Sequence, residues 1–245
     1  MPLSPPAQPG QSFAEIETPA LVLDLDAFER NLVAMAAFTQ AHGIRLRPHA
    51  KSHKSPEIAL RQIAHGAVGQ CCQKVGEAEV LVAGGVGDVL VTNEIVGAAK
   101  LDRLARLARS AKIGLCVDHP DGVREAAEAA ARNDVTLDVY VEIDVGGRRC
   151  GAAPGEAAVR LAEAIARSNT LRFAGIHAYH GSAQHMRSID ERREAIERSG
   201  LAARNTIERL KHHGLPCEIV TGAGTGTHEL ETQSGIWNEI QPGSY

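Results

Sequence analysis

Apolar residues along this chain fall into short β-type runs separated by stretches of helical periodicity, and the alternation is regular. The runs are ALVLDL (20–25), IRLRPHA (44–50), AVGQCCQ (67–73), DVLVTN (88–93), KIGLCVD (112–118), DVYVEID (138–144), RFAGIHAY (172–179), CEIVTG (217–222) and EIQPGSY (239–245). Between them apolar positions recur at helical spacing, as at Leu101, Leu104, Leu107 and Ala108, or at Ile189, Ile196, Leu201, Ile207 and Leu210. Gly43, Gly66 and Gly214 stand where helices should end, and Ser55-Pro56 and Asp118-His119-Pro120 where they should begin. No linker divides the chain. Residues 1–17, rich in Pro, Gly and Ser, read as a flexible tail ahead of one domain, 18–245.

With the first run set aside, eight strands remain, with seven helices between consecutive ones. The strands are largely apolar rather than alternating, as parallel strands covered on the outside should be. The pattern predicts an α/β fold, a (β/α)8 TIM-like barrel. A doubly wound open sheet is the alternative, but it would carry a glycine-rich phosphate loop after its first strand, and RPHAKSHK has no glycine.

Composition narrows the classes of function. The 245 residues include 26 Lys+Arg against 30 Asp+Glu, a net charge of −4, and 44% are hydrophobic, which excludes global disorder. No stretch of 18 residues lacks charges, and the N-terminus has neither the basic start nor the apolar run of a signal peptide, so a cytoplasmic protein without a membrane span is expected. The five cysteines have no CxxC spacing, which signals neither a disulfide framework nor a zinc knuckle. Mild acidity with 3% aromatic residues argues against a nucleic-acid partner.

In such barrels the chemistry sits where strands end. Strand one runs into His49, Lys51, His53 and Lys54, four cationic groups in six residues that would repel if all were charged. A solvated basic loop is the plainer reading. Strands two to four end on Gln73, Asn93 and Asp118. Strand five leads to Asp144, Arg148 and Arg149, and strand six to His177, Tyr179, His180 and His185. Strand seven opens into TGAGTGTH, whose glycines can expose successive backbone amides to an anion, and strand eight adds Gly243 and Ser244. Barrels often bind phosphate at the loops after strands seven and eight. A lysine on strand one facing such a nest is what a pyridoxal phosphate site requires.

Through ETPALVLDLD, RPHAKSHKS, CCQKVGEAEVL, DVLVTNE, EIDVGGRRCG, HAYHGSAQHM, TGAGTGT and SGIWNEIQPGSY, in order from Thr18 to Tyr245, the chain resembles the fold-type III pyridoxal phosphate enzymes. Within them it is most similar to the D-threonine aldolase, D-3-hydroxyaspartate aldolase and D-serine dehydratase group, whose barrel is of the alanine racemase N-terminal type. CCQKVGEAE and AYHGSAQHM favour the aldolase branch. The resemblance implies that Lys51 is the Schiff-base lysine, that Arg149 approaches the cofactor's O3′, and that Tyr179 contacts its ring. It places Gly224, Thr225, Gly226, Gly243 and Ser244 in the phosphate cradle, Gln241 opposite the pyridine nitrogen, and His185 on the substrate's hydroxyl.

The activity so implied is retro-aldol cleavage of a D-3-hydroxy amino acid to glycine and an aldehyde. Dehydration to an oxo acid and ammonia is one alternative, and a non-catalytic carrier of the cofactor is another. The resemblance also implies a divalent metal (manganese, magnesium or zinc) whose ligands lie in a C-terminal β-domain. No HxC pair occurs in these residues, and no metal ligand is assigned. On the same grounds run 20–25 is expected to belong to that domain's sheet, the chain to be a fragment and a poor catalyst, and the full-length protein to be a homodimer.

Overall fold

The computed structural model describes residues 7–245, so the first six residues of the expected tail lie outside the described residues. Helix α1 (Leu25–His42) leads into β1 (Arg45–Leu46), α2 (Pro56–Ala64), β2 (Gln70–Cys72), α3 (Val75–Ala83), β3 (Asp88–Glu94), α4 (Ala98–Leu107), β4 (Lys112–Val117) and α5 (Pro120–Asn133). The alternation continues with β5 (Leu137–Glu142), α6 (Glu156–Ala166), β6 (Leu171–Ala178), α7 (Ile189–His212), β7 (Ile219–Gly222), α8 (His228–Ser234) and β8 (Glu239–Ile240). A 3-10 turn, Gly181–His185, sits between β6 and α7.

All ladders are parallel, in the order β1-β8-β7-β6-β5-β4-β3-β2. The ring closes just beyond β1. A parallel bridge pairs His49 with Cys71, Cys71 N donates to the Pro48 carbonyl (2.8 Å), and Ala50 N donates to the Cys71 carbonyl (2.8 Å). The result is the expected (β/α)8 barrel.

Local chemistry sets most boundaries. Ser55 accepts the Ile58 amide with Pro56 at the first helical position, and His119 Nδ1 accepts the Asp121 amide ahead of α5. Gly43 ends α1 in the left-handed conformation. β1 and β8 are shorter than runs 44–50 and 239–245, because Pro48 and Pro242 have no N–H to give a ladder. Run 20–25 forms no strand: Asp24 accepts the Ala27 amide and caps α1, so Leu25 is already helical, while Leu21, Val22, Leu23 and Leu25 lie exposed.

The main core lies between sheet and helices, and a smaller buried cluster, with one residue each from β2 to β7, fills the barrel's interior: Cys71, Leu90, Cys116, Tyr140, Ala174 and Ile219. At Gly175 the neighbouring strand β7 leaves no room for a side chain. The Gly175 φ of +147° suits only glycine, and a Cβ there would collide with the Ile219 carbonyl oxygen of β7. Gly175→Ala is expected to lower stability by about 1–3 kcal/mol, the range for overpacking, read as a shifted urea midpoint.

Candidate active site

Every strand points its C-terminal end at one mouth of the barrel, and there a cavity of about 340 Å³ opens. Its walls bring together Lys51, Arg149, Tyr179, His185, Gly224, Thr225, Gly226, Gln241, Gly243 and Ser244, joined by His49, Gln73 and His177 from other strand ends. A neighbouring recess of about 270 Å³ shares Arg149, Tyr179 and His185 and extends to Gly147, Cys150 and Ser182. Other candidates stand apart. Lys54 is exposed and does not line the cavity. His180 is 7% exposed and bonded through Nδ1 to Ser199 Oγ (3.1 Å), so it pins the 145–147 loop to α7 rather than serving the cavity. Asp144 holds its own loop, accepting the amides of Gly146 and Arg148, and Asp118 accepts that of Gly151.

Tyr179 is the centre of the cationic side. Lys51 Nζ lies 5.8 Å and the Arg149 guanidinium 5.4 Å from its ring centroid, within the range of cation–π attraction. Partial desolvation and the Arg149 charge hold the Lys51 amine below the ordinary lysine range, which raises the fraction available as a nucleophile. Arg149 is steadied from below, because its Nη2 donates to Glu142 Oε1 (3.3 Å). The other Glu142 oxygen lies 3.0 Å from His177 Nδ1. Burial opposes ionisation of Glu142, but the His177 ring and the Arg149 guanidinium outweigh it and hold the carboxyl at about 2. Glu142 is therefore a fixed negative charge under the site.

The floor is a chain of polar groups. His177 Nε2 sits 3.3 Å from Gln241 Oε1, and Gln241 Nε2 donates to Thr221 Oγ1 (2.8 Å), which donates to Glu239 (2.9 Å). Gln241 is thus held between His177 and Thr221. Burial, with Lys51 and His177 nearby, pushes His49 down to about 3, so its ring is neutral. The Lys51 amide donates to Nδ1 (3.3 Å), which leaves the ring proton on Nε2 to face Thr92 Oγ1 (3.0 Å).

Another part of the cavity wall is made of backbone amides. The amides of Gly224 and Thr225 have no partner among the described residues, Gly226 N donates to Gln184 Oε1 (2.7 Å), and Ser244 N to Thr225 Oγ1 (3.1 Å). A Cβ on Gly243 would strike the His49 carbonyl, so the absence of a side chain there keeps β8's end and the lysine loop in contact. Three site residues escape a reading of strand ends: Glu142, Thr92 and Gln184. Glu142 had one signal, a lone carboxylate inside the apolar run VYVEI, which demands a buried partner. Gln184 had none, since only the fold shows its carboxamide facing residues 42 positions away.

Comparison with known proteins fits this geometry. The family model described as alanine racemase, N-terminal domain, matches residues 23–245. The chain belongs to this family. Among individual members it is similar to a D-threonine aldolase of Arthrobacter sp, with 47% identity over 99% of this chain and 64% of that protein. It is also similar to a 3-hydroxy-D-aspartate aldolase of Paracoccus denitrificans (strain Pd 1222), with 45% identity over 98% of this chain and 62% of that one. The crystal structure of D-threonine aldolase from Filomicrobium marinum superposes with a TM-score of 0.97 at 53% identity, covering 99% of this chain and 66% of that one. The chain therefore spans just under two thirds of the length of these family members. Among the described residues, no helix is long and apolar enough to cross a membrane.

Proposed function

We propose that the protein is a pyridoxal phosphate-dependent lyase that cleaves D-3-hydroxy amino acids, of the D-threonine or D-3-hydroxyaspartate type, to glycine and an aldehyde. The observation that carries this reading is one cavity holding Lys51, with its amine held below the usual range, across from a wall of free backbone amides. Family members named as aldolases of these substrates support the substrate class and the D configuration.

The residues fit the cofactor. Gly224 and Thr225 offer unpaired amides to a phosphate group, with Gly226 beside them, Ser244 offers a hydroxyl, and Lys51 an amine for the aldehyde, with the Arg149 guanidinium beside it. When bound, pyridoxal phosphate would supply an aldehyde for the substrate's amine and a ring that takes up the electron pair of the broken Cα–Cβ bond. Arg149, fixed by Glu142, places positive charge where oxyanion character needs it. Gln241, held by His177 and Thr221, presents its carboxamide edge to the ring's site from the floor. His185, exposed at the wall, accepts the proton of the substrate's 3-hydroxyl as the aldehyde departs, and the carbon left behind regains a proton to give glycine.

The divalent metal is a different matter. Among the described residues the close donor sets are Glu94, Glu142 and Cys150, and Cys116, Glu142 and His177. Both rely on Glu142, already engaged by a guanidinium and an imidazole, and burial pushes the Cys150 thiol up to about 11 and raises the Cys116 thiol as well. These sets do not fit a substrate-holding ion, and no step is assigned to one.

His185→Ala is expected to lower turnover by roughly 10²–10⁴-fold, the usual contribution of a positioned base, while the visible absorbance of the bound cofactor stays. Glycine release from D-threonine and from D-3-hydroxyaspartate measures it. Unchanged turnover removes His185 from the chemistry.

A further inference from the structure

A side chain sits on the anion-binding wall. Gln184, from the Gly181–His185 turn, accepts the Gly226 amide at Oε1 (2.7 Å) and donates from Nε2 to Thr227 Oγ1 (2.7 Å). Thr227 donates in turn to Glu231 Oε1 (2.8 Å) on α8. Glu231 is 1% exposed, and its other oxygen, Oε2, has no partner among the described residues. A line of hydrogen bonds therefore runs from the wall to a buried carboxyl with one oxygen spare. The Gly226 amide only donates, but each link beyond it can be reversed. A carboxamide carries an acceptor on one side and donors on the other, a hydroxyl does both, and a carboxyl accepts or donates according to its proton.

An anion reverses what the first link must supply. The oxygens of a doubly charged phosphate or sulfate group only accept, so Gln184 Oε1, itself an acceptor, faces such a group with the wrong polarity. Turning the carboxamide by half a turn points Nε2 at the anion and Oε1 at Thr227, and the Gly226 amide, released from Oε1, then donates to the anion beside it. Thr227 must then donate to Gln184, and its own oxygen needs a donor. Glu231 can be that donor only when protonated.

We propose that Gln184, Thr227 and Glu231 form a proton-coupled latch: an anion on this wall turns the Gln184 carboxamide to donate to it, and Glu231 takes up one proton from solvent. Gln184 is then a ligand of the anion, and Glu231 a positioning residue acting through Thr227. The latch rests on reading the wall as an anion site but not on the lyase chemistry.

The surroundings allow it. Burial, opposed by the Thr227 hydrogen bond, puts the Glu231 carboxyl up at about 7, so its proton is exchangeable near neutrality. The charged and titratable groups of this corner are few. Arg192 of α7 is tied to the Met186 and Gly226 carbonyls, His228 of α8 to the Thr225 carbonyl, and Tyr179 at the end of β6 is a phenol that burial keeps protonated. Lys51, His49, His177 and His185 line the same cavity, so the test must subtract them.

Sulfate is the probe, because it keeps both charges throughout the neutral range and brings no proton of its own. In calorimetric titrations of the protein without cofactor, sulfate affinity should be highest below pH about 7 and fall by up to about tenfold per pH unit above it, since binding then requires a proton that Glu231 lacks. In Glu231→Gln the side-chain amide donates to Thr227 at every pH. Its sulfate affinity should match the low-pH level of the wild type, and its profile should keep only the slope owed to the cavity's histidines and Lys51. Gln184→Ala, on a part-exposed turn, should bind sulfate roughly tenfold more weakly and lose the same pH component, which keeps the test decisive should Glu231→Gln lose its fold. Parallel pH profiles for the wild type and Glu231→Gln, or tighter sulfate binding by Gln184→Ala, would overturn the latch. Absence of sulfate binding in all three proteins would overturn the anion site itself.

Discussion

Lys51→Ala is expected to abolish covalent attachment of pyridoxal phosphate and to lower cleavage of D-3-hydroxy amino acids by at least about 10⁴-fold, the upper end of what one positioned group contributes. Two losses combine in that one side chain. The amine that would hold the cofactor's aldehyde goes, and so does a cation 5.8 Å from the Tyr179 ring centroid. The assignment is sharp because a second lysine, Lys54, stands three residues away in the same basic run yet lies outside the cavity that Lys51 lines. Borohydride reduction of the loaded protein, followed by peptide mapping, should place the label on Lys51. Label on Lys54, or a visible cofactor band that survives Lys51→Ala, would show that the basic run was assigned the wrong lysine.

The barrel was legible because its determinants are local and repeated. Seven apolar runs became β2 to β8, and the Ser55-Pro56 and His119-Pro120 starts are caps. Run 20–25 forms no strand in the barrel, for a local reason as well. LVLDL is apolar like the barrel's strands, but Asp24 is also an N-cap, and capping the Ala27 amide draws Leu25 into α1. Among site residues, those carried by strand ends could be placed by position, since parallel strands deliver their C-terminal ends to one mouth. His180 and His185 show where that logic stops: five residues apart in one motif, one is buried against Ser199 and the other lines the cavity. Position along a turn does not encode which way a side chain faces. Gln184 acts through partners that only the fold brings near, and so does Glu142 in its contact with His177; nothing in their flanking residues names those partners.

The opposite mouth of the barrel is built for stability, and the largest effect on folding is expected there. Arg47 is 1% exposed, donating from Nε to Glu239 (3.0 Å), itself 0% exposed, and from Nη1 to Asp88 (2.6 Å). Around them Lys112 pairs with Asp88 and Asp138, and Arg172 with Asp138 (2.5 Å), so opposite charges ring the N-terminal ends of the strands. Burying such a group is costly, but removing one partner is costlier, because the charge left behind has lost both water and its ion pair. Arg47→Met should therefore destabilise the fold by about 3–5 kcal/mol, which for a chain of this size lowers the melting temperature by roughly 10 °C. Arg45, which also reaches Glu239 (3.3 Å), is 40% exposed and cannot replace a buried guanidinium. Neutralising the abandoned acid as well, in Arg47→Met with Glu239→Gln, should recover at least about 1 kcal/mol of the loss, as coupled sites do. Additive losses in the double variant would mean that the two groups stabilise the barrel separately, and that the pair across β1 and β8 is not what holds this end closed.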